Sequence, residues 1–292
     1  MPEPTAERTS QLLTTLLGDY WFAAGARGDH IPSAALAAVL AEFGVGAEAT
    51  RAALSRSSRR GRLEGARSGR TTAYRLAPAV RDRALLLSRR LMGFGAEPVT
   101  WDGSWTCVAF SVPESDRPRR LALRRRLRAL GFGALFDGLW ISPRAPVDEV
   151  DAALRELDIA GAAVLRVTEV PRDGGADLLS AWDLDALRDR YDAFLGLLDR
   201  VAPRLAAGEI GSAEALVART EVLAGWRDLV AVDPGLPAEL LPDDWPLPAA
   251  RRAFVAVYDG LGPLAEARVR QLVAAHPTTP EPHHHRVADI LT

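Results

Sequence analysis

The first part of the chain presents three apolar stripes at helical spacing and then, without a long break, two short runs of strand-forming residues. That order leaves few folds open. In "TSQLLTTLLGDYWF", Leu12, Leu13, Leu16 and Leu17 fall on one helix face, and Gly18 suits the end of that helix. "HIPSAALAAVLAEFGVG" supplies a Pro32-Ser33 start, a stripe through Leu36, Val39, Leu40 and Phe43, and a stop at Gly44. A third helix is expected from about Ala47 to Arg60, ending at Gly61. "RLEGARSGRTTAYRL" then reads as a hairpin about a Ser68-Gly69 turn, with Leu63, Ala73, Tyr74 and Leu76 as its packing residues. Three helices followed by a hairpin is the order of a winged helix-turn-helix. A fourth helix, Val80 to Leu91, leads into the linker "MGFGAEPVTWDG".

Charge sharpens this reading. Residues 51 to 90 hold twelve arginines against one glutamate and one aspartate, in a chain whose formal net charge is only -2. A second basic block, "RPRRLALRRRLRAL", runs from Arg117 to Leu130, whereas Asp183 to Asp244 carries thirteen acidic residues and six arginines. Such segregation points to a nucleic acid or another anion at the basic end, although a solvated basic face produces it too. The chain contains no lysine, so apart from histidine every cation is a planar, permanently charged guanidinium.

At 292 residues, 48% hydrophobic and 25% charged, the composition is that of a soluble protein with two or three units. No apolar run reaches the roughly 18–20 residues of a membrane span, and "MPEPTAERTSQLL" lacks a basic segment followed by an apolar core, so a cytoplasmic protein is expected. Cys107 is the only cysteine, which excludes an intrachain disulfide and a cysteine-based zinc site.

Beyond the linker the pattern changes. "SWTCVAFSV", "GLWISP" and "AAVLRVTEV" read as strands, alternating with helices over Arg119 to Leu130 and "PVDEVDAALREL". This is the signature of a small ferredoxin-like α+β unit. From about Asp177 the chain reads as helical, with Leu187, Tyr191, Phe194, Leu195 and Leu198 on one stripe. The expected class is α+β, with a winged helix over 9–91, a linker over 92–103 and a ferredoxin-like unit over 104–172. A helical unit over 177–276 and a tail over 277–292 complete it.

On the third helix, Arg51, Ser55, Ser58 and Arg59 share one side, with Arg56 beside them, while Ala49, Ala53 and Leu54 face inward. A helix of this kind fits the major groove of B-DNA, where arginine donates two hydrogen bonds to a guanine edge and serine bonds a base or phosphate. Arg67 and Arg70 flank the hairpin tip, within reach of the backbone or the minor groove. The alternative is a solvated arginine face.

The motifs "TLLGDYW", "RAALSRSSRRGRLEG", "GRTTAYRLAP", "WDGSWTCVAF", "LRALGFGALFDGLWISPR" and "LLPDDWP", in that order over nearly the whole chain, resemble the PaaX family of transcriptional repressors. Two positions depart from the family pattern: Ser57 replaces an apolar residue, and Leu247 replaces a glycine after "DDWP". The resemblance implies a winged-helix reader, a middle unit like the small CRISPR-associated endoribonucleases, and a dimer on inverted repeats released by an aryl-coenzyme A thioester. It places DNA contacts at Arg51, Ser55, Arg56, Arg59, Arg67 and Arg70, and it fixes no effector residues.

Several features stay open. Arg120, Arg124 and Arg128 form an i, i+4, i+8 row that could meet the phosphates of coenzyme A, flanking DNA or an acidic partner surface, or simply be the wet side of a helix packed through Leu123 and Leu127. With Trp140 they are the effector-binding candidates; an aryl group stacks well on indole, although core packing explains most tryptophans. "GFGALFDGLWISPR" reads as a bend permitted by glycine, with Phe132, Leu139 and Trp140 packing the sheet and Asp137 in the turn. His283, His284 and His285 are read as part of a loose tail rather than a metal site. No cofactor, phosphate loop, HExxH or G-x-S-x-G turn is present, so no enzymatic chemistry is visible. A metal-dependent nuclease built on the middle unit is the rival reading, yet its first strand ends "FSVPES", with Glu114 and Asp102 poorly placed for a metal.

Overall fold

The structure is a computed structural model that describes residues 5–68, 71–144, 147–168 and 177–292. The chain divides into two compact units, the first comprising Met1–Phe94, Phe194–Arg227 and Ala250–Thr292 and the second Gly95–Ala193 and Asp228–Ala249.

The first unit opens with α1 (Ala6–Ala26), β1 (Ile31–Pro32), α2 (Ser33–Ala41), α3 (Ala47–Arg59), β2 (Leu63–Ser68), β3 (Thr71–Leu76) and α4 (Pro78–Gly93). The strands form an antiparallel sheet in the order β1-β3-β2, with Leu63 opposite Leu76 and Arg67 opposite Thr72. Leu13, Leu16 and Leu17 of α1, Leu36, Val39 and Leu40 of α2, and Ala53 and Leu54 of α3 close the core, as the stripes predict. Gly61 stops α3 in the left-handed region (φ 66°), and Arg62 N–H reaches back to Ser57 O at 2.9 Å in a six-to-one closure.

Helix α1 does not end at Gly18. It runs on to Ala26, with non-helical angles only at Trp21 (φ -132°, ψ 20°). The reason is burial. Tyr20 and Trp21 are 1% and 2% exposed, and Trp21 Nε1 donates to Pro280 O at 2.9 Å, contacts that outweigh the ~1 kcal/mol a helical glycine costs.

The rest of this unit comes from the greater parts of α7 (Leu184–Ala206), α8 (Ser212–Val232) and α9 (Leu247–Val273), beginning in α7 at Phe194, ending in α8 at Arg227 and resuming in α9 at Ala250, and from α10 (Val287–Leu291). Arg219 of α8 is fully buried. Its Nη1 lies 3.3 Å from Asp19 Oδ2, Nη2 donates to His285 O at 2.7 Å, Nε donates to Tyr258 O at 3.3 Å, and the guanidinium sits 3.9 Å from the centre of the Tyr258 ring. Burial raises the Asp19 carboxyl, with Arg219 pulling it back.

The expected loose tail is instead fastened. His283 N–H donates to Tyr20 O at 2.9 Å, both N and Nδ1 of His284 bond Glu266 Oε2 at 2.9 and 2.6 Å, and Val287 N–H donates to Asp259 Oδ1 at 2.9 Å. Helix α10 then packs on α4. With Arg219 bonded to His285 O, all three histidines thus have protein partners, His284 through its ring as well as its backbone.

The second unit contains β4 (Trp105–Phe110), α5 (Arg117–Ala129), β5 (Gly133–Phe136), β6 (Leu139–Ser142), α6 (Val147–Glu156) and β7 (Ala162–Val167). Its sheet runs β5-β6-β4-β7, antiparallel throughout, with α5 and α6 packed on one face over Val108, Phe110 and Trp140. On the other face Trp105, Cys107 and Ile141 lie beneath Leu178, Leu179 and Trp182. Strand β5 falls where the sequence reads only a bend. Four residues pair irregularly with β6, and Gly133 is required because a Cβ there would stand 2.7 Å from Ala181 and Trp182.

Two predictions follow from the first unit's interior. Replacing Arg219 by Leu leaves the Asp19 carboxylate and two carbonyls unserved in the core and should lower stability by about 3–5 kcal/mol in urea titration, with Asp19→Leu in the same chain restoring part of the loss. His285 is held below its ordinary 6.5 by burial first, then by the neighbouring His283 and the Arg219 guanidinium. The unfolded chain therefore binds the proton more readily, so this stability is complete above about pH 6.5 and is lost as pH falls through it. The melting temperature should drop by a few degrees between about pH 7.5 and 5.5, and by less in His285→Asn.

Candidate nucleic-acid interface

Helix α3 is amphipathic in an uncommon way, since its polar face is almost wholly arginine and serine. Thr50, Ala53, Leu54 and Ser57 are buried, whereas Arg51, Ser55 and Arg59 are exposed and Arg56 and Ser58 are half-buried. The i, i+4, i+8 spacing places Arg51, Ser55 and Arg59 in one outward row, as the sequence predicts, with Arg56 on its flank. Ser57, where the resemblance leads one to expect an apolar side chain, is 2% exposed, and its hydroxyl has no hydrogen-bond partner among the described residues. The helix thus keeps its inward packing despite the departure. Glu48 stands in the first turn, where a carboxylate complements the helix dipole.

The wing adds Arg67, exposed on β2 beside the turn. Arg70 lies outside the described residues. Arg60 and Arg62, not singled out from the sequence, are also exposed where α3 gives way to β2. Their signal in the sequence is the dense run "RRGR", which lies where helix periodicity ends at Gly61.

The electrostatics of this surface are set by which arginines already have partners. The two carboxylates of the basic window are both occupied: Glu64 accepts from Nε and Nη2 of Arg75 at 2.9 and 2.7 Å, and Asp82 accepts from Nη2 of Arg81 at 2.9 Å. Among the described residues, no ion pair or side-chain hydrogen bond engages Arg51, Arg56, Arg59, Arg60, Arg62 or Arg67. A row of guanidinium groups without protein acceptors has the chemistry to meet an anion, to release counterions from a phosphate backbone and to fork onto base edges.

The effector candidates are arranged differently. Arg120 pairs with Glu114 at 2.6 Å, and Arg124 pairs with Asp137 at 3.2 Å. Arg128 lies 5.1 Å over the Trp140 ring, so the structure brings these two together. Trp140 itself is a core ring, 1% exposed, enclosed by the sheet and by that guanidinium. Its place among Val108, Leu123 and Leu127 follows from strand alternation, which points it to the helix-covered face. Asp102 of the rival nuclease reading is held below its usual range, chiefly by the Ser104 hydroxyl and N–H, and it pairs with Arg166. Among the described residues, no group of three or more His, Cys, Asp or Glu could hold a metal ion, and no helix is long and apolar enough to cross a membrane.

Comparison with known proteins agrees with this layout. Residues 8–80 match the family described as PaaX-like protein, residues 98–178 the PaaX protein central Cas2-like domain, and residues 182–271 the PaaX-like protein C-terminal domain. The solved structure of the uncharacterized protein Rv0674 from Mycobacterium tuberculosis is similar over 91% of this chain and 97% of its own, at 26% identity and a TM-score of 0.59. The transcriptional repressor PaaX of Escherichia coli (strain K12) is 30% identical over 272 residues, 90% of this chain and 83% of that protein. With three family descriptions in order along the sequence and a relative matched over nearly all of it, the chain belongs to the PaaX family of transcriptional repressors.

Proposed function

We propose that this protein represses transcription in the cytoplasm by binding an inverted-repeat operator as a dimer, with α3 in the major groove and the β2–β3 wing on the flanking backbone. The observation that carries the reading is the outward row Arg51, Ser55 and Arg59, with Arg56 beside it and no protein acceptor for its guanidinium groups among the described residues. Residues 9–91 act as the reader, 104–172 as the dimerisation or effector unit, and 177–276 as the helical unit. Two readers about 34 Å apart, or a multiple of that, face successive major grooves of one duplex.

Release follows if an effector binds two states of the protein with unequal affinity and favours the state whose readers cannot span both half-sites. An aryl- or acyl-coenzyme A thioester suits this role: its phosphates would draw Arg120 and Arg124 from Glu114 and Asp137 and meet Arg128 beside them. The reading is that of a regulator and not of an enzyme.

Fluorescence-anisotropy titration with duplex from the protein's own promoter region tests it. Specific binding should exceed binding to random duplex by at least ~10³-fold. Arg51→Ala and Arg56→Ala should each weaken specific binding about 5–150-fold, and Arg67→Ala should weaken binding to all duplexes alike and lower the salt slope by about 1. Added aryl-coenzyme A thioester should return the duplex to its free anisotropy. Equal affinity for promoter and random duplex would remove the repressor reading.

A further inference from the structure

Helices α5 and α6 lie side by side on one face of the second unit, with Leu123 and Leu127 of one and Val150 and Leu154 of the other in the same core. Their outward surfaces carry opposite charge. On α5, Arg117, Arg125 and Arg126 are exposed and, among the described residues, meet no carboxylate. On α6, Asp148, Glu149, Asp151 and Glu156 are exposed and, among the described residues, meet no cation. The one arginine of α6, Arg155, bonds Asp151 O of its own helix at 3.2 Å. Of the remaining arginines of α5, Arg119 is served by Asp116 and Asp158 and Arg120 and Arg124 by Glu114 and Asp137, all outside α6, while Arg128 lies over the Trp140 ring. Each helix also exposes one aliphatic side chain, Leu121 at 41% and Val147 at 39%.

A free arginine row can meet a polyanion or an acidic protein surface. The neighbouring helix decides between them. Packed helices stand about 8–10 Å apart, so a phosphate chain laid along α5 would run within about one Debye length of four unpaired carboxylates. A second copy of this chain has no such conflict. Turned about a two-fold axis between the helices, it sets each α5 row against the other protomer's α6 row, and an isologous contact makes every such match twice.

We propose that the outer surface of α5 and α6 is the self-association face of this protein, with α5 of one protomer against α6 of its partner. The proposal rests on the reading that the repressor is dimeric. Exposed ion pairs are individually weak, so the contact is salt-sensitive, and its complementarity sets register more than strength.

Sedimentation velocity of the full chain tests this. The wild type should be dimeric at about 50 mM salt, with its dissociation constant raised at least ~10-fold at about 500 mM. The variant Arg117→Glu/Arg125→Glu/Arg126→Glu presents two acidic helices and should be monomeric. The variant Asp148→Arg/Asp151→Arg presents two basic helices and should be monomeric as well. Mixed in equal amounts, the two should form a heterodimer, since each helix then faces its opposite in both halves of the contact. If circular dichroism shows either multiple variant to be unfolded, the single changes Arg125→Glu and Asp151→Arg replace them, with the same mixing result expected. A monomeric wild type, a folded variant that stays dimeric, or a folded mixture that stays monomeric would overturn the proposal. Promoter binding by the wild type is scored separately. A dimer that survives the charge changes sinks only this interface, whereas loss of specific DNA binding sinks the repressor reading whatever the masses show.

Discussion

The first unit depends on one buried cation. Arg219 reaches Asp19 on α1, Tyr258 on α9 and His285 beyond α9, so three stretches far apart in sequence meet at one guanidinium. A buried charge is tolerated only when its donors are served and a counter-charge is near, and here carboxylate, carbonyls and the Tyr258 ring share that work. A planar fork with five donors fits this task and a lysine ammonium would not. The consequence is positional. The kinked end of α1, which begins the reader, is located by C-terminal elements rather than by its own turn alone.

Other contacts repeat the theme around that centre. Trp226 Nε1 donates to Leu91 O at 2.9 Å, Arg251 Nη1 donates to Phe94 O at 2.8 Å, and Arg268 pairs with Glu42 at 2.7 Å. Each ties a long C-terminal helix to an end of a reader helix, on residues other than the outward arginines of α3. The reader is therefore held from behind while its arginine face stays free of internal acceptors. Preorganisation of this kind lowers the ordering cost of binding, because the guanidinium groups need not first break protein ion pairs.

Much of this was legible in the sequence, for local reasons. The helices and hairpin of the reader follow from apolar spacing and from Gly44 and Gly61, and the outward row of α3 follows from steps of three and four. What escaped notice depends on distant partners. Gly18 looked like a helix end because nothing local shows that Tyr20 and Trp21 will be buried. Strand β5 was invisible because four residues with a glycine at their head carry no alternation, and the close approach of Ala181 that requires Gly133 comes from elsewhere in the chain. The histidine run resembled a loose tail because Glu266 and Tyr20 are remote in sequence. Arg219, one arginine in an acidic stretch, offered no signal at all.

In a chain without lysine, arginine identity alone carries little information, and its surroundings carry nearly all of it. The same side chain is fully buried at Arg219, paired with a carboxylate at Arg75 and Arg120, and without an internal partner in two separate rows. Those two rows differ in what lies next to them. Around α3 Glu64 and Asp82 are already occupied, and only Glu48 in its first turn is an unpaired acid among the described residues of the helix, so the local field stays positive and suits a polyanion. Beside α5 stand four unpaired carboxylates of α6, so the surface is dipolar, attracts a protein surface of the same pattern and disfavours a phosphate chain. On the proposed reading, neighbouring acids, more than the number of arginines, divide the basic surface between a nucleic acid and a second copy.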